Sequence, residues 1–370
     1  MLNLGVSLIR ELRCLGNQEL IEVYYCGIRE LSNKSIDLLF RLDNRLELVD
    51  VCSDYLARKV ITANMAKKFQ SWWIKPLAIY HTDVRHVLLL DADNVIFRDP
   101  AIVRSLDGYV RTGTTFFYDR VIPGKRFLTG NDSGEIYLHK LLHEFNYARF
   151  NVSDGYAPSQ HMVDSFAFNG LTIHEMDSSM VLIDKARAGK AVMDILFWFI
   201  TKERFRFKLS WGDKETFWLA FELARIPYFF SPWGISAVNS VPNEDIKKHP
   251  KTLCSGMLQY MPTSDPGTVT ADVLYVNSKS LIDPYPQGFN PKRKVKPNNM
   301  FNMFPTHMTP RQGRKKSKNA KKKYTSECLV DMGSTPLPDY FAPRLLRRRL
   351  HFFGLSMGVL GSLEQCETYT

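Results

Sequence analysis

Residues 87–99 read Val-Leu-Leu-Leu-Asp-Ala-Asp-Asn-Val-Ile-Phe-Arg-Asp. An apolar run opens into two carboxylates, Asp91 and Asp93, one residue apart. Side chains i and i+2 of an extended segment project to the same side. Two carboxylates held together where a buried strand ends repel each other unless a cation lies between them. Hard oxygen donors of this kind suit magnesium or manganese. The carboxyl ends of strands in open α/β sheets are also where ligands bind.

Outward from this stretch the apolar pattern alternates between helix and strand periods. Leu4, Val6, Leu8, Ile9, Leu12 and Leu15 mark an amphipathic helix ending near Gly16. Residues 21–26 and 46–52 read as strands, with a short helix over 35–42 between them. Phe69, Trp72, Trp73, Pro76 and Tyr80 line one face of a further helical stretch, where Pro76 marks either a start or a kink. Residues 87–90 and 114–118 are the third and fourth strands. Helices are predicted over 134–145, 186–201 and 213–224, and strands over 179–184, 226–230 and 273–276. This alternation predicts an α/β fold, parallel in its first half, with a mixed sheet overall.

The net charge of +11 is unevenly placed. From 291 onward there are sixteen Lys/Arg against five Asp/Glu, whereas residues 1–290 hold 33 of each sign. The first part is therefore not a general polyanion binder, and no specific nucleic-acid partner is predicted. Residues 1–290 are expected to form one folded domain. Residues 291–370 read as a basic, largely disordered tail, nearly all basic over 311–323, able to touch acidic or membrane surfaces. Residues 350–363 are apolar but shorter than the roughly 20 residues a membrane span needs, and read as a packing segment. The first twenty residues lack a charged start followed by an apolar run, so they read as neither signal peptide nor membrane anchor.

Cys14, Cys26, Cys52, Cys254, Cys328 and Cys366 are scattered, without metal-ligand spacing. They are expected mostly as small core residues, with one or two disulfides if the chain is luminal. Asn33-Lys-Ser, Asn131-Asp-Ser and Asn151-Val-Ser match the glycosylation acceptor pattern, at a number near chance.

Asp91 and Asp93 admit three readings. As a surface turn, Asp-Ala-Asp-Asn is ordinary turn chemistry. As a phosphatase of the haloacid dehalogenase type, Asp91 is a nucleophile and Asp93 an acid/base. That chemistry needs a later acidic pair, and Gly212-Asp213 lacks a second Asp four residues on. As a nucleotide-sugar glycosyltransferase with a single Rossmann-like domain, the pair holds a cation against the donor's diphosphate.

The surroundings favour the third reading. Residues 20–27 with Glu30-Leu31 form one block, and Lys75-Pro-Leu-Ala with residues 87–94 and Asp99-Pro100 a second. A third is Glu-Met-Asp-Ser-Ser-Met-Val-Leu-Ile-Asp-Lys over 175–185 with Gly-Asp-Lys-Glu-Thr-Phe-Trp-Leu-Ala over 212–220. A fourth is Cys-Ser-Gly-Met-Leu-Gln-Tyr over 254–260. In this order, across about residues 5–285, the chain resembles the fungal-type Mnn1/Mnn2 α-mannosyltransferase family. The resemblance implies a GT-A fold: one Rossmann-like domain with a mixed, mostly parallel central sheet flanked by helices. It implies Mn2+ (or Mg2+) on Asp91 and Asp93, GDP-mannose as donor, and a glycan or glycoprotein acceptor in the Golgi, with membrane association and retention of anomeric configuration.

By the same resemblance, Lys75 reaches the diphosphate, its alternative being a solvated lysine at a helix end. Gln259 lies near the donor, and Asp177, Ser178 and Ser179 line the sugar or acceptor side. Asp213 and Glu215 are the catalytic candidates, Asp213 being equally readable as a helix N-cap. Asp184 and Lys185 read as well as a surface pair, and Trp211, Phe217 and Trp218 as core. The chain departs from the family pattern in starting at a helix, without the family's preceding strand, glycine-rich turn and N-terminal anchor. Ser179 stands where the family prefers Gly, and Asn277 where many related transferases carry a metal-binding His; His307 lies in a Pro-rich segment. These departures motivate a further reading, a degenerate transferase fold that binds glycan without turnover.

Overall fold

The computed structural model describes residues 2–27, 29–153, 157–240, 244–263, 272–283, 303–316, 328–357 and 366. The protein is mixed α/β, with several small sheets. The chain divides into two units. The first comprises Met1–Gln18, Leu90–Leu106 and Ser231–Thr370, the second Glu19–Leu89 and Asp107–Phe230. The boundary expected at 290 falls within 284–302, outside the described residues.

In the second unit, strands Ile21–Tyr25 and Leu46–Asp50 pair in parallel, joined by the helix Asn33–Leu42. A three-stranded sheet has the order His86–Leu90, Met176–Asp184, Thr114–Tyr118. Its central strand is buried at every position. Thr114–Tyr118 runs antiparallel to it, with a register shift between Thr115 and Phe117. The helix Ile74–His81 follows a 3-10 turn over Ser71–Trp73, so Pro76 sits in its first turn, where a missing N–H costs nothing. The helix Thr216–Ala224 is buried all round, and it packs with Lys185–Trp198 in a core that includes Phe116, Leu138, Val181 and Trp218.

In the first unit, strands Asn94–Ile96, Val273–Asn277, Met257–Tyr260 and Ser236–Ala237 form an antiparallel sheet in that order. The helices Leu2–Cys14 and Phe341–Met357 pack together beside it. Gly16, just beyond the first helix, has φ +89°, the left-handed conformation that ends a helix.

The expectation of a mostly parallel sheet does not hold for the described ladders, which are mostly antiparallel. A parallel pair needs a crossover connection, usually helical. Strands Ile21–Tyr25 and Leu46–Asp50 have such a helical connection; Met257–Tyr260 and Val273–Asn277, close in sequence, pair antiparallel. The strand expected over 226–230 is reduced to a single bridge between Phe116 and Phe230.

Part of the expected disordered tail is ordered. His307–Met308 pairs with Thr335–Pro336, and the helix Phe341–Met357 is anchored by buried arginines. Arg347 Nε and Nη2 donate to Glu11 at 3.0 and 2.5 Å, the bidentate geometry that lets an arginine leave water. The basic run over 317–323 lies outside the described residues, as do 358–365 of the expected packing segment. All six cysteines are paired, Cys14–Cys366, Cys26–Cys52 and Cys254–Cys328, which corrects their reading as mostly free core thiols. Partners as far apart as 352 residues carry no local spacing signal. No helix among the described residues is long and apolar enough to cross a membrane.

Candidate active site

The strand His86–Leu90 ends directly at Asp91. The Asn94 amide donates to the Asp91 carbonyl at 3.1 Å, closing a tight turn that reverses the chain into Asn94–Ile96. Asp91 and Asp93 are both half-buried in this turn. Three groups of the first unit hold it. Asn277 Nδ2 donates to Asp93 Oδ1 at 2.9 Å and to Asn94 Oδ1 at 3.0 Å. The Ser278 amide donates to the Asp93 carbonyl at 3.2 Å. Arg348, fully buried on the C-terminal helix, donates through Nη2 to the Ala92 carbonyl at 2.7 Å and the Leu4 carbonyl at 3.1 Å, and through Nη1 to Ser7 Oγ. Burial pulls the Arg348 guanidinium down to about 9, against the opposing pull of Glu11 and Asp93.

Asn277, at the position compared with a family histidine, therefore braces Asp93. Gln259 is buried in the register row of Tyr275 and Ile96, two residues along the sheet from the Asn277–Asn94 row. Among the described residues no three His, Cys, Asp or Glu side chains cluster as a metal cage. Two half-exposed carboxylates instead match the way magnesium-like ions bind, through one or two carboxylates with substrate phosphates and water filling the octahedron. The donor set fits an ion shared with a diphosphate.

A second cluster is built within the second unit, on the buried strand Met176–Asp184 and the segment 210–216. Lys75, in the first turn of Ile74–His81, donates to the Ser178 carbonyl and Ser178 Oγ, both at 3.1 Å, and pairs with Asp213 Oδ2 at 3.1 Å. Ser178 Oγ donates to Asp213 Oδ1 at 3.3 Å. Of the three ammonium donors, two go to Ser178, while the charge is paired with Asp213. Lys75 is thus half-buried and held by Ser178 and Asp213, which replaces its alternative reading as a solvated lysine at a helix end. Asp213 does not cap with its side chain; its carbonyl accepts from the Thr216 amide at 3.0 Å, leaving the carboxylate to Lys75 and Ser178.

Glu215 is fully buried. Its carboxylate accepts from Trp218 Nε1 at 2.6 Å and the Glu175 amide at 3.1 Å, and lies 3.3 Å from His174 Nδ1. Asp177 accepts from the Ser179 amide at 3.0 Å and Ser179 Oγ at 2.9 Å, closing a local loop of bonds within the strand. Asp184 caps the following helix through the Ala186 and Arg187 amides and grips Arg85 with both oxygens at 3.1 Å. Lys185 Nζ donates to the Tyr80 and Thr82 carbonyls. This pair serves the fold. Phe217 and Trp218 are core, but Trp211 is 51 % exposed, against expectation.

Asp119 and Lys214 were not singled out from the sequence, yet they form an ion pair beside this cluster, with Asp119 buried and Lys214 partly buried. Burial alone raises the Asp119 carboxyl; Lys214, Arg120 and His174 outweigh it and hold it at about 2. Burial lowers Lys214, and Asp119 and Asp177 more than reverse that. The signal was available: Asp119 ends the predicted strand over 114–118 as Asp91 ends its own.

The chain resembles several fungal enzymes. It is 26 % identical to "Putative alpha-1,3-mannosyltransferase MNN1" of Candida albicans, over 74 % of this chain and 37 % of that protein. It is 26 % identical to "Probable alpha-1,3-mannosyltransferase MNT4" of Saccharomyces cerevisiae, over 69 % of this chain and 44 % of that one. It is 24 % identical to "Alpha-1,3-mannosyltransferase MNT2" of the same yeast, over 65 % and 44 %. The chain thus spans less than half the length of these relatives. The phosphatase alternative is not favoured by any of these likenesses. A sequence model of the family described as "Mannosyltransferase putative" matches residues 2–261, including the Asp91–Asp93 turn and the Lys75, Asp177–Ser179 and Asp213–Glu215 positions, and the chain belongs to that family.

Proposed function

We propose that this chain is a cation-dependent glycosyltransferase of the GT-A type, which moves mannose from GDP-mannose to a glycan or glycoprotein with retention. The observation that carries the reading is the Asp91–Asp93 turn, clamped by Asn277, Ser278 and Arg348 yet half-open to solvent, in a chain of a mannosyltransferase family. Asp91 and Asp93 would hold Mn2+ or Mg2+, and when bound the ion would offset negative charge on the leaving diphosphate. The clamp holds the Asp93 carboxylate and the backbone that carries Asp91 before substrate arrives, so little ordering remains to be done on binding. The parallel unit formed by Ile21–Tyr25, Asn33–Leu42 and Leu46–Asp50 is the piece of the fold that supports a Rossmann-like assignment.

Asp213, held by Lys75 and Ser178, is the carboxylate we assign to orienting the acceptor hydroxyl or countering positive charge at the anomeric carbon. Glu215 and the Asp119–Lys214 pair hold its segment in place. No side chain of this cluster stands out as an activated nucleophile, so a front-face route in which the departing diphosphate takes the acceptor proton suits the residues present. The three disulfides support a secretory, Golgi-type compartment, where such bonds persist. Asn33, Asn131 and Asn151 are all exposed, as acceptor sites there must be.

The test is GDP release from GDP-mannose by the purified protein, with and without MnCl2 and an α-mannoside acceptor. Manganese-dependent turnover that falls to background in Asp93→Asn, with an unchanged melting temperature, supports the assignment. Full turnover in Asp93→Asn overturns the role of the pair. Aryl-phosphate cleavage lost in Asp91→Asn would establish the phosphatase instead. Donor binding without turnover would leave a glycan-binding transferase fold.

A further inference from the structure

The second unit carries a cleft of about 330 Å3 between the segments 68–73 and 204–212. Just beyond the ends of these two segments, Lys75 pairs with Asp213 at 3.1 Å. Gly212, with φ +82°, presses its backbone against the Trp72 ring, where a Cβ would lie 3.1 Å from the indole. Two indoles are left facing solvent, Trp72 at 55 % and Trp211 at 51 % exposure. Aromatic faces of this size are normally buried in a core or an interface. Exposed in a cleft, they offer a flat apolar surface rimmed by polar groups, which matches the C–H face of a pyranose ring.

The charge of the cleft is one-sided. Lys68, Arg204 and Lys208 line it, and no Asp or Glu among the described residues does. None of the three has a carboxylate partner among the described residues. Arg204 lies over Trp73 at 4.4 Å and Phe69 at 4.6 Å from the ring centroids, and its Nη2 donates to the Lys68 carbonyl. Arg126 adds a further guanidinium 5.2 Å over the Trp211 ring. Burial lowers the Arg204 guanidinium to about 10, so it remains charged near neutral pH. A desolvated cation without a counter-ion is costly unless a ligand supplies one. Ser210, 3 % exposed, also lines the cleft, and its hydroxyl has no hydrogen-bond partner among the described residues.

We infer that this cleft binds an acidic glycan, its sugar rings on Trp72 and Trp211 and its anionic group among Lys68, Arg204 and Lys208. The inference rests on the reading of the chain as a mannosyltransferase and names the acceptor class for it, a mannoside carrying a phosphate or a carboxylate. The complementarity is between one-sided positive charge and a negative substituent, while the indoles supply the sugar contact.

Isothermal titration of the whole protein, without donor or cation, tests this separately from turnover. The probes are α-mannotriose, α-mannotriose 6-phosphate and α-mannotriose bearing a terminal glucuronate. The acidic probes are expected to bind about tenfold or more tighter than the neutral one in low salt, with the difference shrinking at high salt. The preference between the two acidic probes identifies the anion. Trp211→Ala is expected to weaken all three about tenfold, with Trp211→Phe restoring part of the loss. Lys68→Glu/Lys208→Glu is expected to remove only the acidic preference. Equal affinity for neutral and acidic probes, or no effect of Trp211→Ala, overturns the inference. So does binding of a single-stranded oligonucleotide as tight as that of the acidic trisaccharides, which would mark a general polyanion patch. Tight glycan binding by a protein without GDP-mannose turnover would leave this site standing and remove the proposed reaction. Turnover without binding in the cleft would do the reverse.

Discussion

The ion pair of the buried Asp119 with Lys214 allows a prediction in both stability and pH. Asp119 is 2 % exposed, and its carboxyl sits at about 2 against an ordinary 3.8. Its folded value lies below its unfolded one, so the pair stabilises the protein above about pH 4. That contribution is lost as pH falls towards 2. That depression corresponds to about 2 kcal/mol of linked stability. Asp119→Asn keeps the shape but removes the charge, leaving the partly buried Lys214 with Asp177 to oppose it. Breaking one side of a buried pair costs about 3–5 kcal/mol, whereas replacing both partners costs much less. Asp119→Asn is therefore expected to lose about 3 kcal/mol in urea unfolding at pH 7, and Asp119→Asn/Lys214→Met to recover most of it. The deficit of Asp119→Asn should also shrink by about 2 kcal/mol between pH 5 and pH 2. A deficit under about 0.5 kcal/mol at pH 7, the range of an ordinary surface change, would refute the reasoning. So would a deficit that does not change with pH.

Other perturbations probe the remaining contacts. Lys75→Met leaves Asp213 buried without its cation and should cost about 3 kcal/mol, read as a fall in Tm; a Tm within a degree of the parent would show that the pair contributes nothing. Arg348→Leu strips the donors from the Ala92 and Leu4 carbonyls and should cost about 2–4 kcal/mol. It should also weaken Mn2+ binding, measured by calorimetry with GDP present, by about tenfold; lower Tm with unchanged ion affinity would confine Arg348 to the fold. Gly212→Ala forces a side chain into φ +82° and against the Trp72 ring, and should cost about 1–2 kcal/mol. Unchanged stability and unchanged glycan affinity would show that the ring moves freely.

Local pattern was enough to place much of this chain. The amphipathic run from Leu4 appears as Leu2–Cys14, the Asn33–Leu42 helix lies between its two flanking strands, and the third strand delivers Asp91 as read. Each of these rests on neighbours a few residues apart, whose spacing alone says which face turns inward. The family, too, was legible, because its blocks are short and ordered along the chain. Lys75 stood out in the sequence, but its partner could not be read there, since a lysine's partner depends on what folds against it. Here that partner is Asp213, on another segment, and the ammonium is absorbed into the scaffold. The basic C-terminal segment reads as a solvated tail until Glu11, from the other end of the sequence, meets Arg347. The cysteine pairs, the antiparallel ladders, the clamp of Arg348 on the Asp91–Asp93 turn and the exposure of Trp211 have the same origin. All are contacts between residues far apart in sequence, where loop closure and packing choose the partner and no spacing rule names it in advance.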